Sequence, residues 1–299
     1  MHGESLTLPD GRRLGYASYG APDGYPVVFF TGTPGSRLDG GVAGGDGQAR
    51  DAGARLIVVE RPGYGLSDRQ PRRRVADWAD DVRALTDALG LERFAVYGYS
   101  GGGPHALACA ARLDGRVTAV ATVSGVGVPG AVGEFDGMGP NERLLHRLVR
   151  ISPALVNVVY RLVRRNATRS PERFFRDFEK DCSDSDRALL ADPALRADFR
   201  TTVLEAFAQG VGGAVDDWVV LSRRPWGFSP EEVRARAVLV FGDADRMVPV
   251  GQSRDLARRM AHARVLEFAG EGHLLIIARL REILDALLAA ADEDAPARA

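Results

Sequence analysis

A serine set among glycines is the first feature of this chain that suggests chemistry. Segment 98–102 reads Gly-Tyr-Ser-Gly-Gly; it follows the apolar run 94–97 and precedes the Ala-rich segment 106–111. This order predicts a strand, a sharp turn and a helix. Glycines beside Ser100 permit a strained corner, and the free N–H groups of the following helix favour negative charge developing nearby. A Gly-rich turn with a surface serine fits the same motif, so other residues must decide.

A histidine and an aspartate in later loops complete the candidate chemistry. A serine hydroxyl is a weak nucleophile at neutral pH and needs a base within hydrogen-bond reach. Of the five histidines, only His273 lies in a glycine-flanked loop after a predicted strand, where a parallel sheet gathers its functional loops. Asp243 and Asp245 follow the preceding predicted strand, and either could orient an imidazole.

Alternating strand and helix patterns must position these residues. The turn signal 9–12 joins two alternating runs and predicts a hairpin. Apolar runs, typical of strands buried on both faces, follow at 27–30, 56–59, 94–97, 117–123 and 237–241, and 264–268 is predicted as the last strand. Helical periods lie between these runs and after the last one. The order predicts an α/β fold with a mostly parallel central sheet flanked by helices.

The pattern changes between residues 127 and 230, where strand-like runs stop. Helices are predicted there at 143–151, 153–163, 171–179 and 198–221. We therefore divide the chain into a core domain, residues 1–126 and 231–299, and a helical insertion, residues 127–230. We expect the insertion to roof the site as a cap; a helical domain without that role is the alternative. Apolar residues available to the roof are Leu144, Leu145, Leu148, Val156, Val159, Phe174, Phe175, Phe207 and Trp218.

Composition and charge exclude several classes of function. The formal net charge of −1 offers no electrostatic case for a nucleic-acid partner. The N-terminus lacks a signal-peptide pattern, and no apolar run approaches the ~18 residues of a spanning helix. Cys109 and Cys182 form neither a disulfide framework nor a metal-binding spacing. We expect a cytoplasmic protein without a membrane partner. A monomer and a homodimer are both compatible with the sequence. The arginine run 72–74 is expected to lie in a solvated loop.

The chain resembles the α/β-hydrolase family over about residues 4–290. Segment 98–102 has the form of the family's nucleophile elbow. Loop 31–36 is similar to its His-Gly-x-Pro loop, with Thr31 where the family usually has His. Segment 60–68 looks like its Arg-x-Gly-x-Gly-x-Ser loop, to which we assign a structural role. The turn 242–249 matches Gly-x-x-Asp-x-x-Val-Pro, which favours Asp245 as the acid and leaves Asp243 as a turn residue.

The resemblance implies acyl transfer through a Ser-His-Asp triad. Ser100 would attack a carbonyl carbon, His273 would accept its proton, and Asp245 would orient the imidazole. The backbone N–H groups of Thr33 and Gly101 would bind the oxyanion. No cofactor and no metal is required, and the partner is a small-molecule substrate. The resemblance thus implies a carboxylic ester hydrolase for a small or medium hydrophobic acyl group; a serine at the elbow argues against dehalogenase or epoxide-hydrolase chemistry.

Three other functions stay open at this point. The Thr-Pro-Gly loop 33–35 also suggests an aminopeptidase similar to proline iminopeptidases, which would need acids such as Glu172, Glu179 or Glu205 to receive an amine. A biosynthetic acyltransferase or cyclase would use the same serine. A ligand-binding receptor on this fold is the non-enzymatic alternative, although binding alone does not require the ordered serine, aspartate and histidine.

Overall fold

The structure is a computed structural model that describes residues 3–293. A single eight-stranded sheet forms its centre. The strands are β1 (Glu4–Thr7), β2 (Arg13–Gly20), β3 (Tyr25–Phe30), β4 (Ala54–Val59), β5 (Phe94–Tyr99), β6 (Val117–Val123), β7 (Arg236–Gly242) and β8 (Arg264–Phe268). Their order is β1-β2-β4-β3-β5-β6-β7-β8. β2 runs antiparallel to β1 and β4, and the other neighbours are parallel. The predicted hairpin and mostly parallel sheet are confirmed.

Both faces of the sheet are covered, which explains the continuous apolar runs of its strands. Val28 and Phe30 of β3 face one apolar cluster, and Val27 and Phe29 face the other. The covering helices are α1 (Gly45–Asp51), α2 (Trp78–Ala88), α3 (Gly103–Arg112), α10 (Val250–Arg259) and α11 (Leu275–Glu293). α2, α3 and α10 pack on the first face, and α1 and α11 on the second. The carboxyl ends of the parallel strands are thereby held at one edge.

Six further helices lie between β6 and β7, where the sequence predicted an insertion. They are α4 (Pro140–Ile151), α5 (Pro153–Arg169), α6 (Pro171–Phe178), α7 (Asp184–Leu189), α8 (Pro193–Ala206) and α9 (Gly212–Arg223). These helices occupy residues 140–223 of the helical insertion predicted at 127–230. Its helices share an apolar cluster that also includes Tyr64, Met247 and Leu274 of the core. The insertion therefore packs against the loops at the carboxyl edge of the sheet.

Some local predictions in this region are wrong. The helix predicted over 198–221 is two helices, because the chain breaks after α8 and Gly210 adopts a φ of +105°. The six-residue α7 was not predicted. The helix expected after Ser229 is only a 3-10 turn, Pro230–Glu232.

Within residues 3–293, no helix is long and apolar enough to cross a membrane. The outer ends of the predicted core domain, residues 1–2 and 294–299, lie outside the described residues.

Candidate active site

Ser100 occupies a strained corner between β5 and α3. Its φ is +53°, a left-handed conformation that residues other than glycine rarely adopt. A Cβ atom at Gly98 would lie 2.2 Å from the carbonyl oxygen of Gly102, and one at Gly102 would lie 2.1 Å from that of Phe30. A side chain at Gly98 or Gly102, two positions before and after Ser100, would therefore clash with the backbone. A 3-10 turn, Ser100–Gly102, leads directly into α3.

A cavity of about 600 Å³ lies between this corner and the helical insertion. Ser100, Gly101, Thr33 and His273 all line it, so the structure brings four of the five predicted site residues to one space. Of the predicted roof residues, those on its wall are Leu144, Leu145, Val159, Phe174 and Trp218. The others, Leu148, Val156, Phe175 and Phe207, belong to the apolar cluster of the insertion. The wall is mainly apolar.

Asp245, the fifth predicted residue, lies directly behind His273. His273 Nδ1 and Asp245 Oδ2 are 2.8 Å apart, and each residue is only 5% exposed. The other carboxylate oxygen accepts the N–H groups of Met247 and Val248 at 2.8 and 2.9 Å. A carboxylate at Nδ1 favours the tautomer that carries the proton there and leaves Nε2 free to accept one. Asp243 instead accepts the N–H of Gly270 at 2.7 Å, which is the turn role expected for it.

The charge of Asp245 makes the imidazole a stronger base. Burial lowers the pKa of His273, but the neighbouring acids together raise it by more, Asp245 foremost through its charge and its hydrogen bond. Asp186 and Glu142 act in the same direction as Asp245. The pKa of His273 therefore lies above its usual value of 6.5. An imidazole of this kind can accept a hydroxyl proton and hold the resulting charge.

The loop that carries His273 is held by the helical insertion. Asp186 of α7 accepts the backbone N–H of Leu274 at 2.7 Å and that of His273 at 3.2 Å. Ser185 Oγ accepts the N–H of Gly272 at 2.9 Å. Asp186 is fully buried. The sequence reasoning missed this contact, because no local pattern links residues 87 or 88 positions apart.

The loop that carries Thr33 is held in a similar way. Thr33 Oγ1 donates to Asp217 of α9 at 2.9 Å, and Arg61 donates to the carbonyl oxygens of Thr31 and Gly32. Segment 60–68 therefore has the structural role expected for it. The solvated loop expected at 72–74 is wrong for Arg73, which is buried and paired with Asp217.

His105, in the first turn of α3, contacts the backbone of Gly101 in the preceding 3-10 turn. His105 Nδ1 lies 2.9 Å from the carbonyl oxygen of Gly101. Burial lowers the pKa of His105 to about 3, so the ring is neutral and can donate this hydrogen bond. A Cβ atom at Gly101 would lie 2.4 Å from Thr33 Oγ1, so these two predicted oxyanion residues are in close contact.

An acid that the sequence reasoning did not name faces the cavity. Glu142, in the first turn of α4, lines it, and burial followed by the nearby Asp181 raises the pKa of Glu142 to about 8. The three acids that were named do not line it. Glu179 pairs with Arg196, Glu205 pairs with Arg37, and the Glu172 side chain is 87% exposed. Within residues 3–293, no three His, Cys, Asp or Glu side chains are grouped as metal ligands.

Comparison with known proteins agrees with this fold. The sequence pattern of the alpha/beta hydrolase fold family matches residues 25–279. The chain is 24% identical over 283 residues to a 2-hydroxymuconate semialdehyde hydrolase of Pseudomonas putida, covering 90% of this chain and 89% of that protein. It is 37% identical over 127 residues to a non-heme chloroperoxidase of Streptomyces lividans, covering 41% of this chain and 44% of that protein.

A solved structure extends the likeness to nearly the whole chain. A thermophilic esterase from Thermogutta terrifontis superposes with a TM-score of 0.70 at 18% identity, covering 98% of this chain and 99% of that one. The chain belongs to the alpha/beta hydrolase fold family. The family and its relatives named hydrolase and esterase support an enzyme.

Proposed function

We propose that this protein is a serine hydrolase that cleaves carboxylic esters through an acyl-enzyme on Ser100. The observation that carries the proposal is the 2.8 Å contact between His273 Nδ1 and Asp245, with the imidazole on the wall of the cavity that Ser100 also lines. Supporting it are the strained φ of Ser100 and the family membership. In this proposal Ser100 is the nucleophile, His273 the general base and Asp245 the orienting acid.

The first half of the reaction forms the acyl-enzyme. Ser100 Oγ attacks the ester carbonyl carbon while His273 Nε2 takes the hydroxyl proton. Negative charge then develops on the former carbonyl oxygen, and the backbone N–H groups of Thr33 and Gly101 donate to it. When the tetrahedral intermediate collapses, the bond to the alkoxy oxygen breaks and His273 gives its proton to the departing alcohol.

The second half releases the acid. A water molecule enters the place of the alcohol, gives a proton to His273 and attacks the acyl carbon. Collapse of the second intermediate breaks the bond to Ser100 Oγ, which recovers its proton from His273. The carboxylic acid leaves and the free enzyme is restored.

The cavity indicates the kind of acyl group. Its walls are mainly apolar, with side chains of α4, α5, α6 and α9 opposite the serine. A volume of about 600 Å³ lies in the usual range for small-molecule sites. We infer a small or medium hydrophobic acyl group, because burial of its carbon chain against these walls contributes binding free energy.

Labelling with a fluorophosphonate probe tests this proposal. We expect one label per folded chain, located on Ser100 by peptide mass spectrometry, and none in Ser100→Ala. Ser18→Ala, which removes an exposed hydroxyl from β2, should label like the unmodified protein. Hydrolysis of p-nitrophenyl esters from acetate to decanoate would then measure acyl preference. A folded protein that neither labels nor hydrolyses any of these esters would overturn the proposal and favour the receptor alternative.

Glu142 gives a specific reason to retain an aminopeptidase as the second candidate. It is an acid on the cavity wall, and among residues 3–293 its side chain is affected by burial and nearby charges but by no hydrogen bond. A substrate ammonium could pair with it. Assays with proline p-nitroanilide beside p-nitrophenyl butyrate separate the two candidates. Activity confined to the anilide, and lost in Glu142→Gln, would replace the esterase proposal.

A further inference from the structure

We propose that Asp217, a residue of the helical insertion, positions the oxyanion loop for the reaction. The loop meant here is segment 31–34, which contains Thr33. This inference rests on the proposed function, because it assigns Asp217 a task in that chemistry. It makes the insertion part of the catalytic apparatus and distinguishes it from a lid that merely covers the cavity.

Asp217 is in direct contact with the oxyanion loop. Asp217 Oδ2 accepts the hydroxyl of Thr33 at 2.9 Å, the hydroxyl of Tyr64 at 2.9 Å and Arg61 Nη2 at 2.7 Å. Asp217 and Arg61 are both fully buried. A buried carboxylate surrounded by so many donors has one preferred position, and the Thr33 side chain is tied to it.

Arg61 connects Asp217 to the backbone of the loop. Arg61 donates to Asp217 and also to the carbonyl oxygens of Thr31 and Gly32. These carbonyl groups precede Thr33, so the peptide plane that aims the Thr33 N–H is fixed by the guanidinium. The planar, rigid fork of arginine suits such a role. Arg61 Nη2 also donates to Thr33 Oγ1 at 3.0 Å. The loop is consequently held through two side-chain contacts and two backbone contacts.

Asp217 carries a negative charge in this buried cluster. Burial alone would raise the pKa of Asp217, but Arg61 and Arg73 lower it by more, so its pKa lies below the usual value and it is ionised. Two guanidinium groups and one carboxylate leave one net positive charge in this buried group. His105 beside it is neutral. Because Asp217 stays ionised, it acts only as an acceptor and keeps the Thr33 hydroxyl as a donor.

A neighbouring residue supplies a matched control. Asp216, next to Asp217 on α9, also joins the insertion to the core, through Arg69 at 2.6 Å. Its partner Arg69 is half exposed, and the pair has no contact with segment 31–34. Asp216→Asn and Asp217→Asn therefore each remove one negative charge from α9 where it contacts the core. Only Asp217→Asn releases the oxyanion loop.

The decisive experiment measures kcat and KM of both variants with p-nitrophenyl butyrate, together with amide hydrogen exchange of residues 31–36. For Asp217→Asn we expect kcat to fall about 100-fold, the effect of a small displacement of a reacting group, with KM changed much less. Exchange of segment 31–36 should accelerate. Asp216→Asn should leave both kcat and this exchange at wild-type values.

A second pair of variants keeps the test valid if Asp217→Asn does not fold. Thr33→Val removes the hydroxyl that donates to Asp217 and accepts from Arg61, but it retains the backbone N–H and the branched shape. We expect kcat to fall at least about tenfold, because hydrogen bonds to two charged groups are lost. Thr33→Ser keeps the hydroxyl and should restore most of the rate. A merely structural role would not produce this rescue.

The outcomes separate the inference from the proposed function. Wild-type kcat in folded Asp217→Asn, or equal rates for Thr33→Val and Thr33→Ser, would overturn the inference and leave the serine hydrolase intact. If the wild-type protein neither labels nor turns over substrate, the proposed function fails, and hydrogen exchange alone decides the positional claim. Unchanged exchange of segment 31–36 in Asp217→Asn, or in Thr33→Val if that variant alone folds, would then refute it.

Discussion

The sheet and the helical insertion contribute to the candidate site in different ways. Every side chain proposed to react comes from a loop at the carboxyl edge of the sheet, whereas Asp186 and Asp217 of the insertion hold two of those loops. The insertion also supplies most of the apolar wall. In the proposed function, the sheet therefore supplies the reacting groups and the insertion aligns them. Predictions that change one region at a time test this division.

The largest effect is expected from Asp245→Asn in the sheet region. The amide no longer stabilises the imidazolium, so kcat/KM should fall about 10³-fold, whereas the free energy of unfolding should change far less. Asp243→Asn, two residues away at a turn, is the control and should retain most of the rate. Steady-state kinetics and urea denaturation of both variants measure this. Equal losses in the two variants would reassign the acid.

Asp217→Asn in the insertion should instead show a large loss of stability. It leaves Arg61 and Arg73 without their common carboxylate in a fully buried place, and breaking such a pair costs about 3 to 5 kcal/mol. Asp216→Asn breaks a partly exposed pair, for which we expect at most about 1 kcal/mol. Urea denaturation with a common slope compares them. Similar values would show that burial does not distinguish these two connections.

The pH dependence of the rate should show the charge state of His273. The pKa of His273 is raised above 6.5, and the base must be neutral, so kcat/KM should increase about tenfold per pH unit below that pKa and level off above it. The same shift stabilises the folded state at pH values below the unfolded-state pKa. This stabilisation is lost as pH rises through the folded-state pKa. A rate that is already level at pH 5 would contradict this assignment.

The smallest effect is expected from Glu142→Gln on the cavity wall. The pKa of Glu142 is raised to about 8, so the wild-type side chain is mostly neutral at pH 7 and glutamine resembles it. We expect kcat/KM for neutral esters to change about threefold at pH 7, as for one altered hydrogen bond. Above pH 8, ionised Glu142 should slow only the wild-type enzyme. Rates at pH 7 and 9, with the exposed Glu172→Gln as control, measure this.

The sequence was sufficient for the sheet because each strand carries its own signal. A run such as Leu56 to Val59 is apolar at every position, and burial on both faces of a parallel sheet requires that pattern. The elbow glycines likewise act on neighbours a few residues away. Helix limits in the insertion were less visible, since one glycine at 210 separates α8 from α9 within an otherwise helical pattern.

The holding contacts could not be predicted from the sequence. Asp217 lies 156 residues from Arg61 and 144 from Arg73, and Asp186 lies 87 from His273. Asp216 and Asp217 are neighbours with identical side chains. The packing of α9 on the core buries Asp217 with Arg61, whereas Arg69, the partner of Asp216, stays exposed. Burial of a polar group is a property of the assembled molecule, so such residues are visible only in three dimensions.

The place of the insertion in the sheet has a further consequence for protein engineering. It leaves the core after β6 and returns before β7, and these strands are adjacent and parallel, with Val123 beside Val240. A chimera could exchange the entire helical segment without altering the register of any strand. The donor segment would have to provide carboxylates where 186 and 217 now stand, because Arg61, Arg73 and the amides at 273 and 274 would otherwise lose their buried carboxylate partners. Successful chimeras should therefore be found among donors that carry acids at both places.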